Sequence, residues 1–320
     1  MSINTVSDKS TYTTFIAEQA KAPIFAQPWY LDIVCGPDHW NCVLVEKKGE
    51  LIGSIAFFQT KVMGQSAIVN TKLQPYTCIH VAVPDNMKPV SAKSRENEVL
   101  TAIAEGLPKV DRVNIKLYQN ISNWLPFKWN GYHGTTFYTY VIARGTGAEE
   151  ARMQFRSSVR STIKKARKSI VSTDDVTIDQ LIELAQKTFS AKNKKYPNDP
   201  HVIRELYASC RDKNCGLIKG ARDEEGRLHS VIFLIEDANS VYYLLSGSDP
   251  EYRNSGAVSL LLEDAISYAM DNEKEFNFEG SMDRGIESFF RSFGGEQVPL
   301  MKISKNRTWL MKLYDLFKRK

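Results

Sequence analysis

The sequence predicts an α/β fold with mixed sheets, and the chain is long enough for two domains. Short β-rich runs bounded by turn residues recur along the whole chain, and amphipathic helical segments lie between them. A length of 320 residues is typical of two domains of ordinary size. The segment Gly145-Thr146-Gly147 provides a boundary, so we predict domains at 1–147 and 148–320.

The first half of the chain alternates helical and strand-forming segments. A helix is predicted around FIAEQA, and a hairpin is predicted where two β-rich runs flank a Lys-Lys-Gly-Glu turn in NCVLVEKKGELIGSIAFFQTK. The segment RENEVLTAIAEGL predicts an amphipathic helix that begins at Ser94. Further strands are predicted in AIVN, YTCIHVAV, DRVNIKLYQN and FYTYVIA.

The second half repeats this alternation without visible sequence identity to the first. Helices are predicted in VTIDQLIELAQKTFSAKN, capped by Asp174 or Asp175, in VIRELYASC, in SGAVSLLLEDAISYAMDN and in GIESFFRSFG. A hairpin is predicted around the turn DEEGR. Further strands are predicted in SVYYLLSGSDP, EFNFEGS and VPLMKISKN.

Composition and charge exclude several classes of protein. The net charge is +5, and neither half of the chain is strongly basic. Residues 1–147 contain 14 basic and 11 acidic residues, and residues 148–320 contain 28 basic and 26 acidic residues. Five cysteines without a CxxC and five histidines without an HExxH predict neither a disulfide framework nor a metal site. The N-terminus lacks the apolar core of a signal peptide, and no apolar run approaches the roughly 18 residues that span a bilayer. We expect a cytoplasmic protein.

A strongly basic stretch, FRSSVRSTIKKARKS, begins at Phe155. We predict one helix from Arg152 to Lys168, on which cations fall at i+4 steps on one stripe: Arg152, Arg156, Arg160, Lys164 and Lys168. Like charges at this spacing repel, so the stripe is expected to bind an anion or to pair with acidic residues from elsewhere. The candidate anion-binding residues are Arg156, Arg160 and Lys164.

A second anion site is predicted where SVYYLLSGSDP leads through a turn into the long helix. Free backbone N–H groups at a helix start attract anions, and a glycine permits close approach of a pyrophosphate. The residues concerned are Arg253, Asn254, Ser255, Gly256 and Ala257. The alternative is an ordinary helix start that Ser255 caps.

Glu279 is the candidate acid–base residue. It follows a predicted strand with alternating aromatic residues, so it should emerge at the carboxyl end of that strand, where α/β sheets bind ligands. Asp283 and Glu287 form an i, i+4 carboxylate pair if the next helix starts early. Any of these three carboxylates could accept a proton from an amine. The alternative is a buried or capping acid that pairs with a nearby arginine. The phenylalanines that follow are expected in the core: Phe289, Phe290 and Phe293.

The terminal segment RTWLMKLYDLFKRK predicts a basic amphipathic helix. Its apolar residues include Trp309, Leu310, Leu313, Leu316 and Phe317. Such a helix can lie on an anionic membrane surface, which would make a peripheral membrane contact. The alternative is that its apolar face packs against its own domain.

These segments together resemble the GNAT superfamily of acyltransferases, and within it the two-domain FemAB-like and BioF2-like acetyltransferases. In the second half the resemblance is carried by FRSSVRSTIKKARKS, DPEYRNSGAVSLLLEDAISYA and FNFEGSMDRGIESFFRSFGG. In the first half it is carried by IFAQPWYLDIV and the strands through YTCIHVAV, so it covers nearly the whole chain. It implies two tandem GNAT-like domains.

The resemblance implies a donor and the residues that bind it. GNAT domains bind the pyrophosphate of acyl-CoA at an Arg/Gln-x-x-Gly-x-Gly/Ala turn, which corresponds here to Arg253, Gly256 and Val258. Val258 departs from the small residue of the pattern. FemAB relatives instead use aminoacyl-tRNA and attach amino acids to peptidoglycan precursors. Arg291 stands where they often carry a lysine, and an arginine there would bind an anion instead of acting as a base.

The resemblance also implies a reaction. An amine would attack an activated carbonyl that backbone N–H groups near Leu245 to Gly247 polarise, with Glu279 as base and Tyr243 as proton donor to the leaving group. The expected donor is acetyl-CoA, another acyl-CoA or aminoacyl-tRNA, and the expected acceptor is a small-molecule or cell-envelope precursor amine. A degenerate, non-catalytic binding protein of the same fold is the alternative. DNA is not expected as a partner, and the near-neutral halves disfavour a purely RNA-binding role.

Overall fold

A computed structural model describes residues 3–318 of the chain. Its contacts divide the chain into unit 1, which comprises Met1–Phe137 and Pro299–Lys320, and unit 2, which comprises Tyr138–Val298. These units differ from the predicted division at residue 147, because the last strand and helix pack with unit 1. The units are defined by contacts alone, so the assignment of separate functions to residues 1–147 and 148–320 stays a prediction.

Unit 1 combines a sheet with helices. Its helices are α1 (Lys9–Ala17), α2 (Pro28–Cys35), α3 (Pro89–Gly106) and α4 (Leu125–Trp129), with a short 3-10 turn at Ile24–Ala26. Its strands are β1 (Ile3–Val6), β2 (Trp40–Lys47), β3 (Glu50–Val62), β4 (Gln65–Val69), β5 (Ile79–Val81) and β6 (Arg112–Lys116). Helix α3 begins earlier than the predicted Ser94, because Pro89 supplies a fixed φ at the first helical position.

The sheet of unit 1 is mixed. Strands β2 and β3 form the predicted hairpin, with Lys48 and Gly49 at positive φ in the turn. The strands pair in the order β1-β2-β3-β4-β6, with β5 beside β3, and only β4 and β6 run parallel among these pairs. Helix α3 connects that parallel pair and buries Val99, Leu100 and Ile103 in the core.

Unit 2 repeats this arrangement with more helices. They are α5 (Ala148–Gln154), α6 (Ser157–Ala166), α7 (Ile178–Ser190), α8 (Pro200–Asp212), α9 (Ala257–Asp271) and α10 (Arg284–Arg291), with a 3-10 turn at Pro250–Tyr252. The strands are β8 (Ile170–Thr173), β9 (Gly216–Asp223), β10 (Leu228–Glu236), β11 (Ser240–Ser248) and β12 (Glu275–Asn277). Helix α7 is capped by Thr177 in a capping box with Gln180, and not by the predicted Asp174 or Asp175.

The sheet of unit 2 is also mixed. Its strands pair in the order β12-β11-β10-β9-β8, and only β11 and β12 are parallel among these pairs. Helix α9 makes the crossover between them and lies on the sheet with its apolar face fully buried. That face includes Leu260, Leu261, Ala265, Ile266 and Ala269. The fold class predicted from the sequence, α/β with mixed sheets, is confirmed.

Two long strands, β7 (His133–Ile142) and β13 (Glu296–Asn306), explain why unit 1 consists of two separate segments of the chain and why neither unit ends at residue 147. Strand β6 of unit 1 pairs with Lys302–Asn306 from the far end of the chain. Strand β12 of unit 2 pairs with Val141 and Ile142, which follow unit 1 in the chain. Each sheet is thus completed by the strand that a sequential reading assigns to the other half. The chain then ends in α11 (Trp309–Lys318).

None of the helices within residues 3–318 combines the length and the low polarity that crossing a bilayer requires.

Candidate active site

The central feature of unit 2 is an opening between two parallel strands. Strands β11 and β12 pair only over Ser240–Tyr242 and Glu275–Asn277, after which β12 ends and β11 continues to Ser248. The register of β11 against β10 shifts at the same place, leaving Leu244 as an extra residue in a bulge. The residues from Tyr243 to Ser246 are therefore only half-buried, although they lie in the middle of the sheet. A ligand can approach the β11 backbone through this opening.

Tyr243 lies on β11 at the start of the opening. Its ring meets the ring of Phe290 edge-on, with centroids 5.9 Å apart. Burial raises the pKa of Tyr243 to about 12, although a hydrogen bond with Ser246 lowers it. The hydroxyl is therefore protonated at neutral pH, but it would lose its proton only reluctantly to a thiolate, because a thiol has a pKa of about 8.5. Its chemistry suits hydrogen-bond donation better than the proton transfer that the resemblance implied.

Glu279 lies at the carboxyl end of β12, in a strained backbone conformation. Its φ is 64°, and that of Gly280 is 67°. A left-handed conformation costs a non-glycine residue roughly 1–2 kcal/mol. The side chain of Asn277 holds this geometry, because its Oδ1 accepts hydrogen bonds from the Glu279 N–H and from Thr139 Oγ1, each 2.9 Å long. A Cβ at Gly280 would lie 2.2 Å from the carbonyl oxygen of Tyr138, so this position requires glycine.

The start of α9 lies at the same edge of the sheet, because α9 follows the carboxyl end of β11 and the two strands are parallel. Gly256, with a φ of 82°, turns the chain into the helix. The N-cap of α9 is Gly256, which has no side chain, and not the Ser255 that the alternative named as cap. Ser255 lies one residue earlier, and its Oγ accepts a hydrogen bond of 3.3 Å from the Ala257 N–H. That bond leaves the N–H groups of Val258 and Ser259 without a partner inside the helix.

One further property of this turn suits an anion. Arg253 and Asn254 are exposed, and Arg253 forms no ion pair within residues 3–318. The Val258 side chain is partly buried and packs against the core of unit 2. The residue that departs from the small residue of the GNAT pattern is therefore accommodated by the core.

The basic stretch does not form the predicted single helix from Arg152 to Lys168. It is broken at Phe155 and Arg156, whose ψ angles are 140° and 143°, into α5 and α6. Tertiary contacts stabilise the break, because the Phe155 ring is buried against Phe293 with centroids 5.1 Å apart. The N–H of Arg156 donates to the Ser292 carbonyl over 2.8 Å. The stripe of cations at i+4 steps therefore does not run across the break.

Several of these cations have partners. Arg160 donates from Nη1 to the carbonyl oxygens of Met153 (2.8 Å) and Phe155 (2.5 Å), so it caps the end of α5. Two more arginines, Arg152 and Arg167, hold the buried carboxylate of Glu263 on α9, at 2.9 Å and 2.6 Å. In part, the stretch is therefore the ion-paired helix face that the sequence left open as an alternative.

The remaining cations of the stretch are exposed and form no ion pair within the described range 3–318; they are Arg156, Lys164, Lys165 and Lys168. Helix α6 runs beside the start of α9, since a Cβ at Gly256 would lie 2.8 Å from Thr162 Cγ2 and 3.1 Å from Ala166 Cβ. At about 100° per residue, Lys165 lies on the flank of α6 next to this contact, whereas Lys164 points to the opposite side. The i+4 spacing of the cations predicted Lys164. The packing of Gly256 against α6 instead favours Lys165 as the cation nearer to the start of α9.

Arg291, the third predicted anion-binding position, already has a partner. Its Nε donates to Glu287 Oε1 over 2.8 Å within α10. The same carboxyl oxygen accepts a hydrogen bond of 2.5 Å from the Tyr140 hydroxyl. The hydrogen bond from Arg291 has the larger effect and that from Tyr140 the smaller, and together they hold the pKa of Glu287 below its usual range. Half of the Arg291 side chain is exposed, so an anion could still reach it.

One group near the site was missed by the sequence reading. His229 Nε2 lies 3.0 Å from Asp223 Oδ2, and its ring stacks on Tyr252, the residue before Arg253. The hairpin predicted around DEEGR could have indicated this pair, because its two strands place Asp223 and His229 close together at the turn end of the hairpin. Within residues 3–318 no group of three or more His, Cys, Asp or Glu side chains could hold a metal ion.

Comparison with known proteins identifies this part of the chain. The model of the family described as Acetyltransferase (GNAT) domain matches residues 153–282. Over this segment the chain is similar to GNAT domains. The segment contains the opening between β11 and β12, the turn from Arg253 to Ala257, and Glu279. No curated protein matches the chain in sequence.

Solved structures with the same fold extend the likeness beyond this segment. The crystal structure of FemX is 13% identical, covers 99% of both chains and has a TM-score of 0.66. L-PGS from Bacillus licheniformis is 10% identical, with 98% of this chain and 96% of that chain covered and a TM-score of 0.58. The C-terminal domain of a putative lysylphosphatidylglycerol synthetase from Agrobacterium fabrum is 11% identical, with 92% and 91% covered and a TM-score of 0.55. The predicted α/β fold is therefore shared with these structures over nearly the whole chain.

Proposed function

We propose that the protein is an N-acyltransferase that transfers an acyl or aminoacyl group from a phosphate-bearing donor to an amine. The observation that supports this most directly is the opening between β11 and β12 in the segment that is similar to GNAT domains. The start of α9 and Glu279 lie at the same edge of the sheet, so a phosphate site and a candidate base face one cleft. The acceptor is a small-molecule or cell-envelope precursor amine.

In this proposal the donor phosphates bind at the start of α9. The free N–H groups of Val258 and Ser259 and the guanidinium of Arg253 supply hydrogen bonds and positive charge. Lys165, on the neighbouring flank of α6, adds a second cation. The reactive carbonyl then lies along β11, where backbone N–H groups between Leu245 and Gly247 polarise it.

The reaction forms a C–N bond and breaks the bond from the carbonyl carbon to the leaving sulfur or oxygen. Glu279 accepts the proton that the attacking amine loses. Tyr243 donates a hydrogen bond to the leaving group, which is finally protonated from solvent. The strained backbone at Glu279 fits a functional position, because such strain is retained only where the surrounding contacts enforce it.

The donor has two candidates. Acyl-CoA, with acetyl-CoA as the simplest, is favoured by the family of residues 153–282. Aminoacyl-tRNA is favoured by the FemAB resemblance of the sequence and by the exposed, unpaired cations of α6, which could contact several phosphates. Binding to tRNA should weaken steeply with salt, because each neutralised phosphate releases counterions, whereas acetyl-CoA binding should depend on salt only weakly.

The first experiment is calorimetric titration with acetyl-CoA and with aminoacyl-tRNA, each at two salt concentrations. We expect one donor to bind, and Arg253→Ala to weaken it about tenfold or more. If acetyl-CoA is the donor, Lys165→Ala should also weaken binding, whereas Lys164→Ala, a matched change on the opposite side of α6, should not. If tRNA is the donor, both variants should bind it more weakly. If neither donor binds, the result contradicts both candidates and favours the non-catalytic binding protein of the same fold.

A second experiment separates chemistry from binding. Glu279→Gln should leave donor binding unchanged and lower the rate of transfer by about 10²–10⁴-fold, the range typical of a lost general base. Full activity of Glu279→Gln would exclude the proposed base. Arg144→Ala, which removes an exposed arginine far along the sequence from the turn, serves as the control for general charge effects.

A further inference from the structure

Helix α11 is anchored to unit 1 by one narrow face. Met311 is fully buried. Asp315 forms an ion pair with Arg112, with 2.7 Å between Asp315 Oδ1 and Arg112 Nη1. Arg112 belongs to β6 and is only 4% exposed. The same guanidinium lies over the ring of Tyr314, 5.3 Å from its centroid. These contacts fix which side of α11 faces the unit.

The opposite face of α11 is apolar and uncovered. Its large side chains recur at i, i+4, i+7 and i+8, and their exposed fractions are 74% for Trp309, 39% for Leu313, 62% for Leu316 and 72% for Phe317. The reading in which the apolar face packs on its own domain is therefore wrong for these side chains. A contiguous apolar patch of this kind is uncommon on a soluble surface and marks an interaction site.

The charges in and just before α11 are mostly basic. Residues 307–318 contain two lysines and one arginine against a single acid, Asp315, which is bound to Arg112 on the inner side of the helix. Arg307, two residues before α11, and Lys312, within it, are exposed and form no ion pair within the described residues 3–318. A partner for this surface should therefore be apolar at its centre and anionic around it.

We propose that α11 is a membrane-surface helix that binds anionic lipid. Trp309 and Phe317 would enter the boundary between headgroups and acyl chains, with Arg307 and Lys312 at the level of the phosphates. Tryptophan favours this boundary because its ring is amphipathic. A second copy of the chain fits less well, since a dimer through α11 would bring the cations of one copy against those of the other. The proposal does not depend on the identity of the acyl donor.

Vesicle co-sedimentation of the full chain tests this proposal. We expect binding to phosphatidylcholine vesicles that contain 30% phosphatidylglycerol, and much weaker binding to phosphatidylcholine alone. Trp309→Ala/Phe317→Ala should weaken binding by about tenfold or more, since each ring removes a large apolar contact. Lys312→Glu should weaken it more than about fivefold at low salt, and less at high salt.

Two matched controls make the test specific. Met63→Ala/Met153→Ala removes two apolar side chains that are 63% and 69% exposed and lie outside α11. Lys109→Glu reverses an exposed charge elsewhere in unit 1. Both should bind vesicles as the unaltered chain does. The proposal is overturned if the unaltered chain does not bind anionic vesicles, or if the α11 variants bind as well as the controls. It is also overturned if sedimentation velocity shows that Trp309 and Phe317 support self-association while vesicles do not bind.

Discussion

The imidazole ring of His229 lies flat against the phenol ring of Tyr252, with 4.1 Å between the centroids and 8° between the planes. His229 also forms a hydrogen bond with Asp223, whose Oδ2 is 3.0 Å from His229 Nε2. Because Tyr252 immediately precedes Arg253, this stack joins the β9–β10 hairpin to the proposed phosphate-binding turn. The carbonyl of His229 also accepts the N–H of Asp249 over 2.9 Å, at the start of that turn.

The stack predicts a positioning role for Tyr252. Tyr252→Ala should raise the Kd of the donor roughly 2- to 10-fold, because an aromatic pair contributes about 0.5–1.5 kcal/mol and its loss frees the turn. The rate at saturating donor should change little, since Tyr252 does not touch the proposed base. Tyr252→Phe keeps the stacking ring and should bind the donor normally. An unchanged donor Kd in Tyr252→Ala would show that the turn is held by other contacts.

Asp223 predicts a pH dependence of stability. Burial raises its pKa, but the hydrogen bonds from Arg227 and His229 outweigh this and hold the pKa at about 2. The unfolded value is about 3.9, so the stabilisation is present above pH 4 and is lost as the pH falls towards 2. Denaturant unfolding at pH 6, 3.5 and 2.5 should therefore show a difference between the unaltered chain and Asp223→Asn that shrinks across this window. Asp212→Asn, which removes an exposed carboxylate, is the control for the loss of one negative charge.

Gly256 predicts a cost of substitution with two parts. Gly256→Ala places a side chain at a φ of 82° and 2.8 Å from Thr162 Cγ2. Gly226→Ala, at a φ of 78° with nothing within 4 Å, incurs only the backbone cost. We expect a loss of about 1–2 kcal/mol in free energy of unfolding for Gly226→Ala, and about 1–3 kcal/mol more for Gly256→Ala. Adding Thr162→Ser, which removes Cγ2, should restore part of the difference.

Glu263 predicts how α5 and α6 are held on α9. It is 4% exposed and binds Arg152 and Arg167 from the two helices. Glu263→Gln should lower the free energy of unfolding by about 2–4 kcal/mol, because the buried position then lacks the charge that both arginines neutralise. Asp264→Asn, which weakens only the 3.1 Å contact of a more exposed carboxylate with Arg167, should cost under about 1 kcal/mol. Equal losses of unfolding free energy in the two variants would contradict the proposed role of Glu263 in holding α5 and α6 on α9.

Local sequence signals were sufficient for much of the fold. The hairpin at Lys48 and Gly49, the long helix α9 and the alternation of strands with helices follow from turn residues and apolar periodicity. The candidate residues Arg253 to Ala257 and Glu279 were also found in this way, because a helix start and a strand end are local features. Their position at one sheet edge followed once β11 and β12 proved parallel.

Other features of the site depended on contacts between distant residues. The break at Phe155 and Arg156 is stabilised by Phe293 and Ser292, more than a hundred residues away, whereas helix periodicity alone predicts a continuous helix. The choice between Lys164 and Lys165 depended on where Gly256 packs. The exposure of Trp309 and Phe317 followed from the anchoring of the opposite face of α11 by Arg112.

The sequence by itself determined the α/β class, most of the helices and strands, and the residue types that surround the cleft. Tertiary structure alone decided which strands complete each sheet, where the basic stretch breaks, and which cations are left without partners. The physical reason is that turns, caps and periodicity act over a few neighbouring residues. Strand pairing and ion pairing instead join residues whose separation along the chain carries no local signal, as for β6 with β13 and Arg167 with Glu263.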